Sequence, residues 1–267
     1  MQAERLTTTA VTTTLAPRAR AHRRPAHRGP ATRSARPIAG VLIGLAVAVA
    51  AGLGLVLRAQ LLTHQALSGD EAVAGLMAEQ IRHGHLYTFY WGNQYGGGEI
   101  YVVALLFAIF GASAVVLNGT ATVVTAGAAL LLWRSARRLG PGTPGMGKWP
   151  AVAAAAAFWV WPEAAVWNST RQFGFRELTA AAGIGAILFT LRLLDGWSTR
   201  DAAAVGLLLG LGWWSSPEFV YFGVAVGAAV GIAACRRVTR PHFSHLLVMV
   251  ATFVVGALPW WWTNLHT

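Results

Sequence analysis

Residues 37–57 form a run of 21 amino acids without a charged side chain. At 1.5 Å per residue a helix of that length covers about 30 Å, the thickness of a bilayer's hydrocarbon core. The run is longer than the apolar core of a cleaved signal peptide, so it is expected to remain in place as a signal anchor. Ahead of it, residues 1–36 hold eight Arg against one acid, Glu4, among Thr, Ala and Pro with no apolar periodicity. Such a segment cannot bury a core and is expected to be a disordered, basic cytoplasmic tail able to bind anionic lipid headgroups.

Composition extends this to the whole chain. At 55% hydrophobic, 12% charged and a mean hydropathy of +0.50, the 267 residues are too apolar for a soluble domain. The net charge of +11 would suit nucleic acid if the basic residues shared a face with aromatics, but they collect at the ends of apolar runs, so no nucleic-acid partner is expected. Twenty of the 21 basic residues are Arg, alongside abundant Ala and Gly, the usage of a GC-rich bacterial genome. The single cysteine, Cys235, excludes an internal disulfide or a Cys-based metal site and is expected to be a small buried apolar residue.

A second uncharged stretch, residues 100–133, is too long for one span and short for two, and Gly111 divides it. If both halves crossed, Arg134, Arg137, Arg138 and Lys148 would lie opposite the Arg-rich tail, against the tendency of basic residues to stay inside. Residues 97–111 are therefore expected to dip into or lie in the outer leaflet, and 113–133 to cross. Further spans are expected at 149–166, 176–193, 202–216, 218–235 and 244–263. The expected fold is all-α, a polytopic membrane helical bundle over residues 37–267. It has about seven transmembrane helices, with amphipathic and re-entrant helices in a first external loop, 59–112. The protein is expected to be multi-pass in the plasma membrane with its N-terminus cytoplasmic. Seventeen basic residues then lie inside, while Arg58, Arg82, Arg171 and Arg176 share the outer face with seven of the ten acids. Chemistry is expected on that outer face. The glycines of residues 206–212 follow no strand and predict close helix packing rather than a nucleotide loop.

The stretch SGDEAVAGLMAEQIRHGH, residues 68–85, sets Asp70 beside Glu71. Ser68-x-x-Glu71 is a capping box, Val73, Leu76, Met77, Gln80 and Ile81 recur at helical spacing, and Gly84 is a natural stop. An amphipathic helix on the outer membrane surface is expected, with both acids answering its dipole and free N–H groups. The next segment, YTFYWGNQYGGGE, adds a second meaning, because aromatic rings cover the C–H faces of sugars while amides and carboxylates bind their hydroxyls. Tyr87, Tyr90, Trp91, Asn93, Gln94 and Glu99 are thus candidates for substrate binding. An interfacial aromatic belt accounts equally well for the rings, and capping of its own helix is the favoured role for Glu99. His83 and His85, at i, i+2 across a helix end, are poorly spaced to share a metal ion. Trp213, Trp214 and Glu218 flank a tight outer turn and are candidates to line the cavity, with packing the favoured role.

The basic tail, the single span, Gly-Asp-Glu-Ala opening a helix that ends in His83-Gly84-His85, and YGGGEIYVVALLFAIFGAS together resemble the start of GT-C membrane glycosyltransferases. The nearest group is the family 39 type, which includes protein O-mannosyltransferases and aminoarabinose transferases. RQFGFREL, GLGWWSSPEFVYF and GALPWWWTN are similar to segments of its actinobacterial members. The resemblance covers about residues 38–267 and is strongest over 69–113. It implies inverting transfer of a sugar from a polyprenyl-phosphate donor to a hydroxyl of an acceptor glycan, lipid or protein at the outer face. Asp70, at the position of the family's acid in the first external loop, is implied as general base. Glu71 points about 100° away on the helix and is assigned to capping or acceptor binding. Arg171 and Arg176 are the cations available to the donor phosphate, or else pair with Glu163 and Glu177 or anchor at headgroups. No cofactor beyond the lipid-linked donor is expected, and nothing in the sequence supports a divalent metal. Family members are roughly twice as long, so a further C-terminal half or a partner subunit is expected. Two other functions stay open: a transporter or lipid flippase, and a non-catalytic assembly subunit. The scarcity of charge at span centres counts against the first of these.

Overall fold

A computed structural model describes residues 35–139, 149–160, 162–236 and 243–266. The expected tail, Lys148, Arg237 and Arg240 lie outside the described residues, except that the helix already includes Ala35 and Arg36. The elements are α1 (Ala35–His64), α2 (Gly69–Arg82), α3 (Gly98–Phe110), α4 (Ala114–Leu139), α5 (Trp149–Val160) and α6 (Glu163–Asn168). They continue with α7 (Arg176–Asp195), α8 (Thr199–Ser215), a 3-10 turn (Pro217–Phe219), α9 (Val220–Cys235) and α10 (Phe243–His266). The fold is an all-α helical bundle of the polytopic membrane kind. Five helices are long and apolar enough to cross a bilayer: Val41–His64, α4, α7, Pro217–Cys235 and α10. Their outward faces agree with a lipid surround, since Val41, Leu45 and Val49 of α1 and Val250 and Val255 of α10 are all exposed.

Several sequence expectations change. The expected 149–166 span is two helices, because Pro162, which has no N–H to give a helix, stands as the extended N-cap of α6. At 12 residues, or about 18 Å, α5 is too short to cross alone, and α8 has 17 residues. The first helix runs past residue 57 to His64, and Arg58, expected at the outer face, is buried in the bundle. Cys235, expected to be buried, is exposed at the end of α9.

The links between helices gather at two ends. At one lie α2, the 83–97 loop, α6, the link into α7 and the α8–α9 turn, tied together by Trp214 Nε1 donating to the Thr88 carbonyl at 2.7 Å and Gly96 N donating to the Trp214 carbonyl at 3.2 Å. At the other, Arg138 pairs with Asp195 and Arg192 with Asp201. The glycine-rich run packs as expected: a Cβ on Gly210 would collide with the Phe253 carbonyl of α10 and lie 2.9 Å from Gly256 Cα, and one on Gly206 would collide with the Met249 carbonyl. Backbone thus meets backbone between α8 and α10, the contact that small residues four apart allow.

α2 does not rest on the membrane alone. Ala74, Met77 and Ala78 are fully buried against Ile100, Val103 and Phe107 of α3 and Leu117 of α4, while Leu76 is left exposed. The apolar stripe that suggested a surface helix is therefore largely used against protein, and removing Met77 and its neighbours from water or lipid fixes α2 to the bundle.

Candidate functional site

The first turn of α2 separates its two acids. Ser68 Oγ accepts from Glu71 N at 3.4 Å and Ser68 N donates to Glu71 Oε2 at 2.5 Å, so the expected capping box forms. Glu71 is fully buried, and the same Oε2 lies 3.5 Å from Arg171 Nη1. Arg171 stacks over the Trp167 ring, 4.0 Å from its centroid. Asp70, one residue earlier, is exposed. Its backbone is nonetheless fixed, because the Tyr90 hydroxyl donates to the Asp70 carbonyl at 2.7 Å. Burial, helped by the nearby Asp70 charge, pushes the Tyr90 hydroxyl up to about 12, so at neutral pH it stays protonated and keeps donating.

Of the expected sugar-facing residues, Tyr90 is buried and occupied with that bond. Trp91 and Gln94 are exposed, Tyr87 and Asn93 half-buried, and Tyr87 meets Trp91 edge-on at 5.4 Å between ring centroids. Tyr87 is further held by Tyr101, whose hydroxyl accepts from Tyr87 N and donates to the Tyr87 carbonyl. The loop closes through Gly97 at φ +95°, where a Cβ would stand 2.6 Å from the Thr88 carbonyl, so no other residue fits.

Glu99 does not cap its own helix. The N-cap of α3 is Gly97, which has no side chain to cap it, and the Glu99 carboxylate instead crosses to α7, where its Oε2 accepts from Leu178 N at 3.0 Å. α7 has no side-chain cap of its own, so Glu99 supplies one from another helix. Its Oε1 and Gln172 Nε2 lie close without meeting hydrogen-bond geometry, and Gln172 Oε1 is used by Gly174 N. Desolvation by complete burial, against the bond from Leu178 N and with the Glu177 charge adding to it, pushes the Glu99 carboxyl up to about 7.

The two candidate arginines part company. Arg171 belongs with Glu71, whereas Arg176 stacks on Phe173 and lines a separate cavity of about 340 Å³ with Asn168, Glu177, Glu218 and Tyr221. Glu177 in turn accepts from Thr125 Oγ1 at 2.8 Å. Trp214 is held by Thr88 and Trp213 meets Trp260 edge-on, so both pack, while Glu218 faces the cavity. His83 pairs with Glu79 at 3.5 Å, and among the described residues no group of three His, Cys, Asp or Glu is placed to hold a metal ion.

Arg58 carries a role the sequence did not suggest. It is 1% exposed, its Nε donates to Ser169 Oγ at 2.9 Å, its Nη1 donates to the Gly54 and Trp159 carbonyls, and its guanidinium stacks 3.8 Å over Trp159. These bonds tie α1 and α5 to the segment that presents Arg171. An arginine one residue beyond an apolar run looks like an interfacial anchor, and only the continuation of α1 to His64 shows otherwise.

What the end of the bundle offers chemically is the exposed Asp70 carboxylate on a helix start held by Tyr90, further exposed carboxylates at Glu163 and Glu218, an aromatic and amide-bearing loop beside Asp70, and two arginines in different settings. Comparison with protein-family models, with curated proteins and with solved structures finds no match for the chain.

Proposed function

We propose that the chain is a membrane glycosyltransferase of GT-C character that moves a sugar from a polyprenyl-phosphate donor to an acceptor hydroxyl at the outer face, with Asp70 as general base. The observation that carries the reading is the division of labour in α2: Glu71 is used up by the cap and Arg171, which leaves Asp70 exposed on a backbone fixed by Tyr90. In the reaction the Asp70 carboxylate takes the acceptor's hydroxyl proton as that oxygen attacks the anomeric carbon. The bond from the anomeric carbon to the lipid phosphate oxygen breaks, and the phosphate departs as an anion. Arg176, in its cavity with Asn168 and Glu218, supplies positive charge for that anion, and Trp91 and Gln94 are exposed where a sugar would lie.

The orientation belongs to the same proposal. It takes the end opposite Asp70, which carries Arg134, Arg137, Arg138, Arg192 and Arg236, as cytoplasmic, with α1, α4, α5–α6, α7, α8, α9 and α10 as seven crossings and α3 as the re-entrant helix; the concentration of basic residues there supports this reading. The test is sugar transfer from a polyprenyl-phosphate donor in membranes of cells expressing the chain with any coding sequence continuous with it. Asp70→Asn is expected to lower kcat by roughly 10²- to 10⁴-fold with the protein level unchanged. A normal rate in that variant removes Asp70 as the base.

A further inference from the structure

At the end of the bundle opposite Asp70, four arginines surround one concavity. Arg134, Arg137 and Arg138 stand on the last two turns of α4 and Arg192 on the last turn of α7, around a cavity of about 310 Å³ closed by Leu188. Two of them have carboxylate partners: Arg138 pairs with Asp195, and Arg192 Nε lies 2.7 Å from Asp201 Oδ1. Arg134 and Arg137 have no ion-pair partner among the described residues, which leaves the cavity with two positive charges in excess. The carbonyl ends of α4 and α7 draw only about half a charge each, less than this excess supplies together with the paired arginines.

The cavity also has an apolar neighbour. The Arg137 guanidinium lies 5.1 Å from the centroid of the Trp133 ring. Trp133 is in turn a wall of an apolar groove of about 390 Å³ between α1, α4 and α5, with Val47, Leu130 and Ala156. That groove runs on into a second, of about 520 Å³ between α1 and α5, sharing Val47, Val152 and Ala156 with the first. Cationic cavity and apolar groove thus meet at Trp133 and Arg137. A free anion would use only the cavity, whereas a molecule with a phosphate and an acyl chain uses both.

We propose that this junction is a binding site for an anionic phospholipid of the leaflet bounding that end, its phosphate held by Arg134 and Arg137 and a chain lying in the groove past Trp133. Guanidinium groups bind phosphate through paired N–H donors, and basic pockets between membrane helices hold anionic headgroups in this way. The site is remote from Asp70 and does not depend on the transferase reading.

The test uses the full chain in mild detergent, with native mass spectrometry after addition of dioleoyl phosphatidylglycerol, dioleoyl phosphatidylcholine or inorganic phosphate. Phosphatidylglycerol is expected to be retained in preference to phosphatidylcholine, and excess inorganic phosphate to leave it in place. R134Q/R137Q is expected to weaken retention by roughly ten- to thirtyfold. R200Q/R236Q, which removes the same charge from exposed positions at the same end, is expected to leave it unchanged. To separate binding from folding, the rise in Tm on adding phosphatidylglycerol is compared with each variant's own lipid-free value. Equal losses in the two double variants would show a general basic surface in place of a site. Displacement by inorganic phosphate would show an anion site without lipid. Either overturns the proposal.

Discussion

Replacing Glu99 by Gln is expected to stabilise the protein above neutral pH and to leave it unchanged in mild acid. The Glu99 carboxyl is fully buried, and desolvation moves it from the ordinary 4.5 to about 7. A carboxyl raised in the folded state favours folding while protonated, so its contribution is complete below pH 4.5 and is lost as pH rises through about 7. Over that interval, at about 1.4 kcal/mol for each pH unit, the loss amounts to about 3 kcal/mol. Glutamine keeps an oxygen to accept from Leu178 N, so the trans-helix cap of α7 survives, while nothing titrates. The attraction of a helix N-terminus for a negative charge, about 0.3–1 kcal/mol, is too small to reverse the balance. Tryptophan fluorescence during thermal unfolding in detergent at pH 5 and pH 8 reads the difference. The variant is expected to match the wild type at pH 5 and to unfold several degrees higher at pH 8. A variant that is less stable at pH 8 than the wild type would mean that the buried charge itself holds α7 in place, and the reasoning from desolvation would be wrong.

Other perturbations test the packing around the site. Glu71→Ala removes the acceptor for Ser68 N and the partner of a largely buried Arg171, and is expected to cost about 2–4 kcal/mol in thermal or denaturant unfolding, with Glu71→Gln costing less because it retains the cap. Gly210→Leu drives a side chain into the backbone of Phe253 and Gly256 and is expected to cost more than the ~1–3 kcal/mol of ordinary overpacking, while Gly44→Leu, with open space around it, changes the unfolding temperature little.

How much of this could be read from the residues depends on how local the cause is. The long apolar runs give the helices because the bilayer imposes length and leaves the backbone no partners but its own. The α2 start was legible for the same reason: Ser68, Glu71 and the dipole act within four residues of one another. The breaks were harder, because whether Pro162 kinks one span or ends it depends on what neighbouring helices accept, and here α6 begins anew. Least legible were the bonds between distant segments. Glu99 caps α7 across 79 positions of sequence, and Arg58 reaches Ser169 across 111. A buried charge looks the same in sequence as an interfacial one, since both stand at the edge of an apolar run.

The two neighbouring acids carry that distinction to its consequence. Adjacent residues on a helix diverge by about 100°, so one environment cannot serve both. Burial against Arg171 took Glu71 for structure, and the same rotation set Asp70 outward. A fixed, unconsumed carboxylate is what a general base requires, because it must be free to accept a proton yet held where the acceptor arrives. Changing Glu71 should therefore affect Asp70 through the position of the helix start, raising KM and lowering kcat together. If Asp70 is the base of the proposed transfer, changing it should lower kcat at constant stability, and the two patterns would then separate a residue that reacts from one that holds it.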